Sequence, residues 1–386
     1  MAGSGGCVGG DTGGDGAGMA VVQNRVSAEI MKTGLFGLMM GVVMTGTAWA
    51  DDLQSLADGL VTHDLIPGAV VGLAEAERLD WAVAGLRIAG RDEPVATGDL
   101  WHLGSLTKSM TAMVAARLVE RGLIGWDDSA GEVLGQDDLP GSAATLEMLL
   151  THRSGIAANP GRWGMMTLPR NWTETDHHAD RQTLVEEVLT WPLAETPGTY
   201  LYSNMGYVVA GQMLATRAGT SWEALIIAEL FEPLGLDSAG FGPPGYAAPD
   251  TQPWGHRRGF GGRLRPADPA TGPDNPPVFG PAGSVHMNAG DMLAYLRAHL
   301  LRDDRYLSAE SWDRLHIPPE GADYAMGWLE LEPGRLAHNG SNTFWLAMAW
   351  LDFEVGRALF VAANSGFLEQ ISPALTEAGL TAAALP

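Results

Sequence analysis

The chain has 386 residues, 46% hydrophobic and 18% charged, which is long and apolar enough for a large core of two packed domains. Its formal net charge of −23 describes a surface that repels nucleic acid and anionic membrane. The single cysteine, Cys7, precedes the expected folded part, which excludes disulfides, thiol catalysis and a cysteine-based zinc site from the remainder.

Residues 1–30 are Gly-rich with little pattern and read as an over-extended start. Met31-Lys32, the apolar run Leu35 to Met44 and the triplet Ala48-Trp49-Ala50 have the layout of a signal peptide over 31–50, with cleavage expected after Ala50. The run is too short and too glycine-bearing for a transmembrane helix. Export without cysteine suits a bacterial periplasm or exterior. Leu53 to Val61 then has the spacing of a short amphipathic helix. Gly68 to Ala74 and Leu79 to Leu86 read as strands joined by a turn at Glu75 to Arg78.

Ser105 and Lys108 follow, with apolar residues from Met110 to Val119 at helical spacing and Gly122 as the stop. A helix starting near Ser105 places the two side chains on one face, one turn apart. A serine hydroxyl is a poor nucleophile until a base takes its proton, and an amine of depressed pKa can do that. The helix N-terminus adds unpaired N–H groups that favour an oxyanion. The plain alternative is an N-capping serine and a solvated lysine. Lysine occurs only at Lys32 and Lys108, and every other permanent cation is arginine, which argues that position 108 needs an amine able to lose its proton.

Residues 144–152 read as a helix closed by Arg153-Ser154-Gly155, and Asn159 to Thr175 as a Trp-rich irregular stretch. His177-His178 lacks a third ligand at a useful spacing for a metal. The loop Thr196 to Asn204 enters a helix from Gly206 to Arg217 that Gly219 stops. Thr220-Ser221-Trp222-Glu223 has capping-box spacing and opens the next helix, which runs to Phe231. Residues 241–282, crowded with Pro and Gly, read as a loop forming a wall or lid near a site. Asn288 to Asp291 caps a helix from Met292 to Leu300. Tyr324 to Leu331, Leu336 to His338, Phe344 to Leu351 and Arg357 to Ala363 read as antiparallel strands. A closing helix from Phe367 to Ala378 contains Pro373 and stops at Gly379.

Three clusters now stand in order: Ser105-Leu106-Thr107-Lys108, Tyr202-Ser203-Asn204 and His338-Asn339-Gly340. With Leu149 to Gly155, Pro197-Gly198, Pro281-Ala282-Gly283 and Ala363-Asn364-Ser365, they make the chain resemble the serine β-lactamase and penicillin-binding-protein superfamily, in its class C-like branch. The resemblance implies an α/β (α+β) fold, an antiparallel sheet flanked by helices, with a mostly helical domain inserted. The expected division is a leader over 1–50, an α/β domain over 51–125 and 283–386, and the inserted domain over 126–282.

By the same resemblance, Ser105 forms an acyl-enzyme, Lys108 helps deprotonate it, and Tyr202 carries the proton to the leaving group and later activates water. Asn204 contacts the substrate's acyl amide. The backbone N–H groups of Ser105 and Ser341 make the oxyanion hole, and Gly340 lets substrate lie along the strand edge. Class C β-lactamases carry Lys-Thr-Gly where this chain has His338-Asn339-Gly340. A permanent cation is thereby replaced by an imidazole of ordinary pKa near ~6.5, as in the carboxypeptidase and D-aminopeptidase branches. The plain alternative for His338 is a strand residue bonded to its neighbours. The implied function is an exported serine hydrolase acting on a small amide or ester, foremost a D-amino-acid peptide. Alternatives are a carboxylesterase, a weak class C-like β-lactamase and, in another class, a penicillin-binding sensor without turnover. No cofactor or metal is implied. The partner is a small-molecule or peptide substrate, with no nucleic acid and no membrane span in the mature form.

Overall fold

The computed structural model describes residues 48–173 and 176–386. The leader reading therefore lies outside the described residues, except for Ala48-Trp49-Ala50. These open the first helix, α1 (Ala48–Leu60). Trp49 is buried there, its Nε1 donates to Pro386 O at 2.5 Å, and the Arg78 guanidinium lies 4.1 Å from its ring centre. Cleavage after Ala50 would remove this ring from the fold.

Eight strands give the molecule its frame: β1 (Gly68–Ala74), β2 (Leu79–Gly85), β3 (Leu100–His102), β7 (Val285–Asn288), β8 (Leu329–Glu332), β9 (Arg335–Ser341), β10 (Leu346–Asp352) and β11 (Arg357–Ala363). The two-residue β4 (Gly240–Phe241) stands at the start of the segment read as a loop, and β5 (Gly255–Arg258) and β6 (Leu264–Ala267) lie within it. The main sheet has six strands in the order β2-β1-β11-β10-β9-β8, all antiparallel, so its middle joins strands from both ends of the chain. A small sheet, β3-β7-β4, stands beside it.

The central strands are apolar on both faces because both are covered. Val71, Met348, Trp350 and Val361 pack against Leu53 and Leu60 of α1 and against Ile371 and Leu375 of the last helix. Val70, Ala347, Ala349 and Phe360 turn the other way, onto Met110, Met113, Leu293 and Leu296. Met110 and Met113 belong to α2 (Thr107–Glu120), which is buried on nearly every side. The other long helices are α3 (His178–Thr190), α4 (Asn204–Ala218), α5 (Ala289–Leu301) and α6 (Leu368–Ala383). Among the described residues no helix is long and apolar enough to cross a membrane.

Several sequence expectations need correction. The helix α6 runs through Gly379 to Ala383 rather than stopping there; a Cβ at Gly379 would lie 2.9 Å from the Trp350 ring, so the glycine serves close packing. The strand expected from Tyr324 begins only at Leu329. Before it, Gly327 at φ +85° presses on the backbone of Ser109, where a Cβ would stand 2.4 Å from the Ser109 Cα. The expected helix start at Ser105 is a 3-10 turn, Gly104–Leu106, with α2 proper beginning at Thr107. The Asn159 to Thr175 stretch contains a short helix, Arg162–Thr167. Residues 241–282 are not one loop but hold the β5–β6 hairpin and a series of short turns.

Candidate active site

Ser105 sits in the 3-10 turn between β3 and α2, where the first backbone N–H groups have no intrahelical partner. One turn on, Lys108 is fully buried. Its Nζ lies 3.0 Å from Ser105 Oγ, 2.8 Å from Asn204 Oδ1 and 2.7 Å from Ala282 O. Two of these partners, the amide and carbonyl oxygens, can only accept. A neutral amine has two N–H donors and one lone pair, so it can satisfy both oxygens and still accept the Ser105 proton. Burial drives the lysine pKa well below its ordinary 10.5, which favours that neutral form.

Asn204 is the first residue of α4. Its Nδ2 donates to Asn159 Oδ1 at 2.8 Å, which turns Oδ1 toward Lys108. The N-cap of this helix is Ser203, whose Oγ accepts from Gly206 N at 2.9 Å, so capping does not explain Asn204. Tyr202 is buried, with its ring centre 4.9 Å from Lys108 Nζ. His152 holds this loop: its Nδ1 accepts from Ser203 N at 3.0 Å, its carbonyl accepts from Leu201 N, and its ring centre is 4.3 Å from that of Tyr202.

His338 and Gly340 point from β9 toward α2. The pairing of β8 with β9 ends at Ala337, which leaves the strand edge open beyond it on that side. Gly340 has a role that the strand-edge reading did not anticipate. A Cβ there would lie 1.9 Å from Leu103 O and 2.8 Å from Ser105 N, and a Cβ at Gly104 would lie 2.2 Å from Ser341 N. The two glycines let the Ser105 turn rest backbone to backbone on β9. This brings the regions of the Ser105 and Ser341 N–H groups together.

The His338 environment also corrects the expectation. The ring is 3% exposed, and its Nε2 lies 3.1 Å from the hydroxyl of Tyr324. Burial first, and then the neighbouring Lys108, push its pKa down to about 3. The imidazole is neutral throughout the working range instead of titrating near neutrality.

Sequence reasoning missed a buried connection behind the site. Gly104 N donates to His102 Nδ1 at 3.1 Å. His102 Nε2 lies 2.8 Å from Asp274 Oδ2, with both side chains fully buried and no other partner for either atom. Asp274 Oδ1 accepts from Asn342 Nδ2 at 2.8 Å and from Asn275 N at 2.6 Å. This chain of contacts ties the turn before Ser105 to the residue after Ser341. The one local signal was a histidine two residues before Gly104; Asp274 lies too far along the chain to be paired with it by spacing.

Comparison with known proteins places this arrangement. Residues 53–383 match the family model described as Beta-lactamase. The chain belongs to the β-lactamase family. It is 25% identical over 277 residues to a lovastatin esterase of Penicillium rubens, covering 61% of this chain and 64% of that one. It is 28% identical over 190 residues to penicillin-binding protein 4* of Bacillus subtilis, covering 48% and 40%. The chain thus matches less than two thirds of the length of either relative. Its fold is similar to that of a D-amino acid amidase from Ochrobactrum anthropi SV3, with a TM-score of 0.68 at 20% identity, covering 86% of this chain and 99% of the other. Within this β-lactamase fold the serine, lysine and tyrosine clusters converge, whereas the histidine of the third cluster withdraws its charge.

Four outcomes follow for this site. With activated esters, Lys108→Arg should lower kcat by about 100-fold or more, because a guanidinium keeps its proton and does not fit the three-acceptor pocket. In the unaltered enzyme kcat/KM should fall as the pH drops and the amine protonates, along a limb lying below 10.5; a pH-independent rate would remove the neutral amine from the mechanism. Gly340→Ala should separate the Ser105 turn from β9, with kcat reduced at least about tenfold and the protein destabilised by roughly 1–3 kcal/mol in denaturant titration. Asp274→Ala should cost about 1–3 kcal/mol in the same titration, since it removes the partner of His102 Nε2 and of Asn342 Nδ2, and should lower kcat more than it changes KM.

Proposed function

We propose that this enzyme hydrolyses esters and amides that carry no carboxylate, D-aminoacyl amides included, through an acyl-enzyme on Ser105. Neutral Lys108 takes the Ser105 proton as Oγ attacks the carbonyl carbon. The N–H groups of Ser105 and Ser341 receive the charge that develops on the carbonyl oxygen. Tyr202, beside Lys108, gives its phenol proton to the leaving group and regains one from the water that releases the acyl group, while Lys108 returns its proton to Ser105 Oγ. Asn204 orients Lys108 and offers its amide to the acyl side of the substrate.

The observation that carries the substrate class is the buried, neutral His338. A peptide ending in a free carboxylate, or a β-lactam, presents an anion to the third cluster. An imidazole held neutral gives that anion no countercharge and leaves only a neutral contact. An ester or primary amide has no such anion to place. The lovastatin esterase and the D-amino acid amidase are named for substrates of these two kinds, which supports the reading. The β-lactamase reading requires a cationic carboxylate anchor; the D-alanyl-D-alanine carboxypeptidase branch also carries a histidine here, and that reading requires the ring to reach the terminal carboxylate, which burial against Tyr324 disfavours. Export through the residue 31–50 leader is part of the same proposal.

The test is a panel of p-nitrophenyl esters, D-phenylalanine amide, D-Ala-D-Ala peptides and a chromogenic cephalosporin. We expect kcat/KM for the carboxylate-free substrates to exceed that for the carboxylate-bearing ones by at least about tenfold, the order of one charge-assisted hydrogen bond. His338→Lys should narrow the gap. A panel led by the cephalosporin or the D-Ala-D-Ala peptide would refute the proposed class. Burst labelling by a penicillin without turnover of any member would favour a sensor.

A further inference from the structure

The hairpin of β5 and β6 stands apart from the rest of this acidic protein. Its sequence, His256 to Arg265, carries four arginines around a Gly259-Phe260-Gly261-Gly262 tip. Phe260 is fully exposed, and Arg257, Arg258, Arg263 and Arg265 are exposed as well. Arg78, Arg87, Arg117, Arg181, Arg335 and Arg357 each hold a carboxylate elsewhere in the fold. Among the described residues none of the four hairpin arginines does. Arg257 faces Arg265 directly across the two strands, a like-charge pair that weakens a hairpin standing alone.

The hairpin is nonetheless firmly held. His256, at its base, is buried and kept neutral, its pKa pushed down to about 4 by burial. Its Nε2 accepts from Ala89 N at 3.0 Å, and its Nδ1 lies 2.7 Å from Asn364 O, which only an N–H can satisfy. His256 N donates to Phe344 O, and Gly366 N donates to His256 O. A Cβ at Gly255 would strike the Trp345 side chain at 2.5 Å, so this strand lies flat on the turn that follows Ser341. A rigid base thus presents a cationic stem and an aromatic tip, and among the described residues no carboxylate partners the stem.

We propose that this hairpin docks the protein on an anionic phospholipid bilayer, with the arginines at the headgroup phosphates and the Phe260 ring at the acyl boundary. The whole-chain charge of −23 does not oppose this at working salt. Fields are screened beyond about 8 Å at physiological ionic strength, so contact is decided by the residues nearest the lipid. The acidic remainder instead disfavours other orientations and leaves the hairpin as the approaching face. A soluble polyanion would engage the arginines but give Phe260 no role. The hairpin's base abuts the turn after β9, so docking sets that edge of the active site at a defined place relative to the membrane.

The experiment is cosedimentation of the full chain with vesicles of phosphatidylcholine alone or with added phosphatidylglycerol, at physiological salt, with thermal unfolding as a check on folding. The unaltered protein should sediment with the anionic vesicles and not with the neutral ones. Phe260→Ser should weaken partitioning roughly tenfold, and Arg257→Glu with Arg265→Glu roughly a hundredfold, with melting temperatures unchanged. No enrichment of the unaltered protein on anionic vesicles overturns the proposal. So does equal partitioning of all three proteins. Loss in the arginine variant with full retention in Phe260→Ser, together with equal affinity for soluble polyphosphate, overturns it in favour of a polyanion partner. If either variant melts early, Phe260→Tyr and Arg→Gln replacements at the same positions carry the same comparison.

Discussion

The site depends on one backbone contact, that of Gly104 with Gly340. Any side chain at either position would occupy the backbone of the other segment, since the missing Cβ atoms would fall 2.7 Å from Gly340 C and 1.9 Å from Leu103 O. The contact makes the serine turn and the strand β9 one rigid unit, although more than two hundred residues separate them in sequence. Preorganised donors stabilise developing charge only when their positions are set before the reaction. Here they are set by close packing of main chain on main chain. The His102–Asp274–Asn342 connection reinforces the same junction from behind.

The second determinant is desolvation. Lys108 and His338 both lie in the interior, and burial shifts the pKa of each toward its neutral form. For Lys108 that change fits the proposed role of base, because a neutral amine has two N–H groups for the Asn204 and Ala282 oxygens and a lone pair left for the Ser105 proton. For His338 the change removes a cation and leaves a ring that contacts Tyr324. A charge on Lys108 would further disfavour charge on His338. A single apolar environment therefore activates the nucleophile and narrows the substrate class on the reading proposed here.

The helices supply the enclosure. The long α2 is buried nearly all round because α4, the turn Gly280–Gly283 and the short helix Ala309–His316 pack against it, and the Lys108 side chain is fully buried there. The loop before α4 is set by His152, whose positive φ of 59° turns the chain so that its ring and carbonyl both engage residues 201–203. Tyr202 and Asn204 thus arrive at the site from one anchored loop.

Much of this was legible in the chain. Ser105 and Lys108 lie one helical turn apart whatever the rest of the fold does, and the near-absence of lysine elsewhere made the pair conspicuous. Apolar runs with turn residues between them located most helices and strands, and Gly219 stopped α4 as its left-handed conformation requires. Other features were decided only by tertiary structure. Gly379 has the same composition signal as a helix stop, but it packs under Trp350. The sequence of β9 does not say that Gly340 faces the Ser105 turn. His338 has a titrating side chain in any sequence, and only its burial beside Tyr324 and Lys108 makes it neutral. Asp274 could not be assigned to His102 because their proximity is created by the fold and by no local spacing. The sequence by itself determined which chemical groups were at hand, since identity and short-range spacing are covalent properties. Which groups met, and in which protonation state, was decided by packing and exclusion of water, which exist only once the chain is folded.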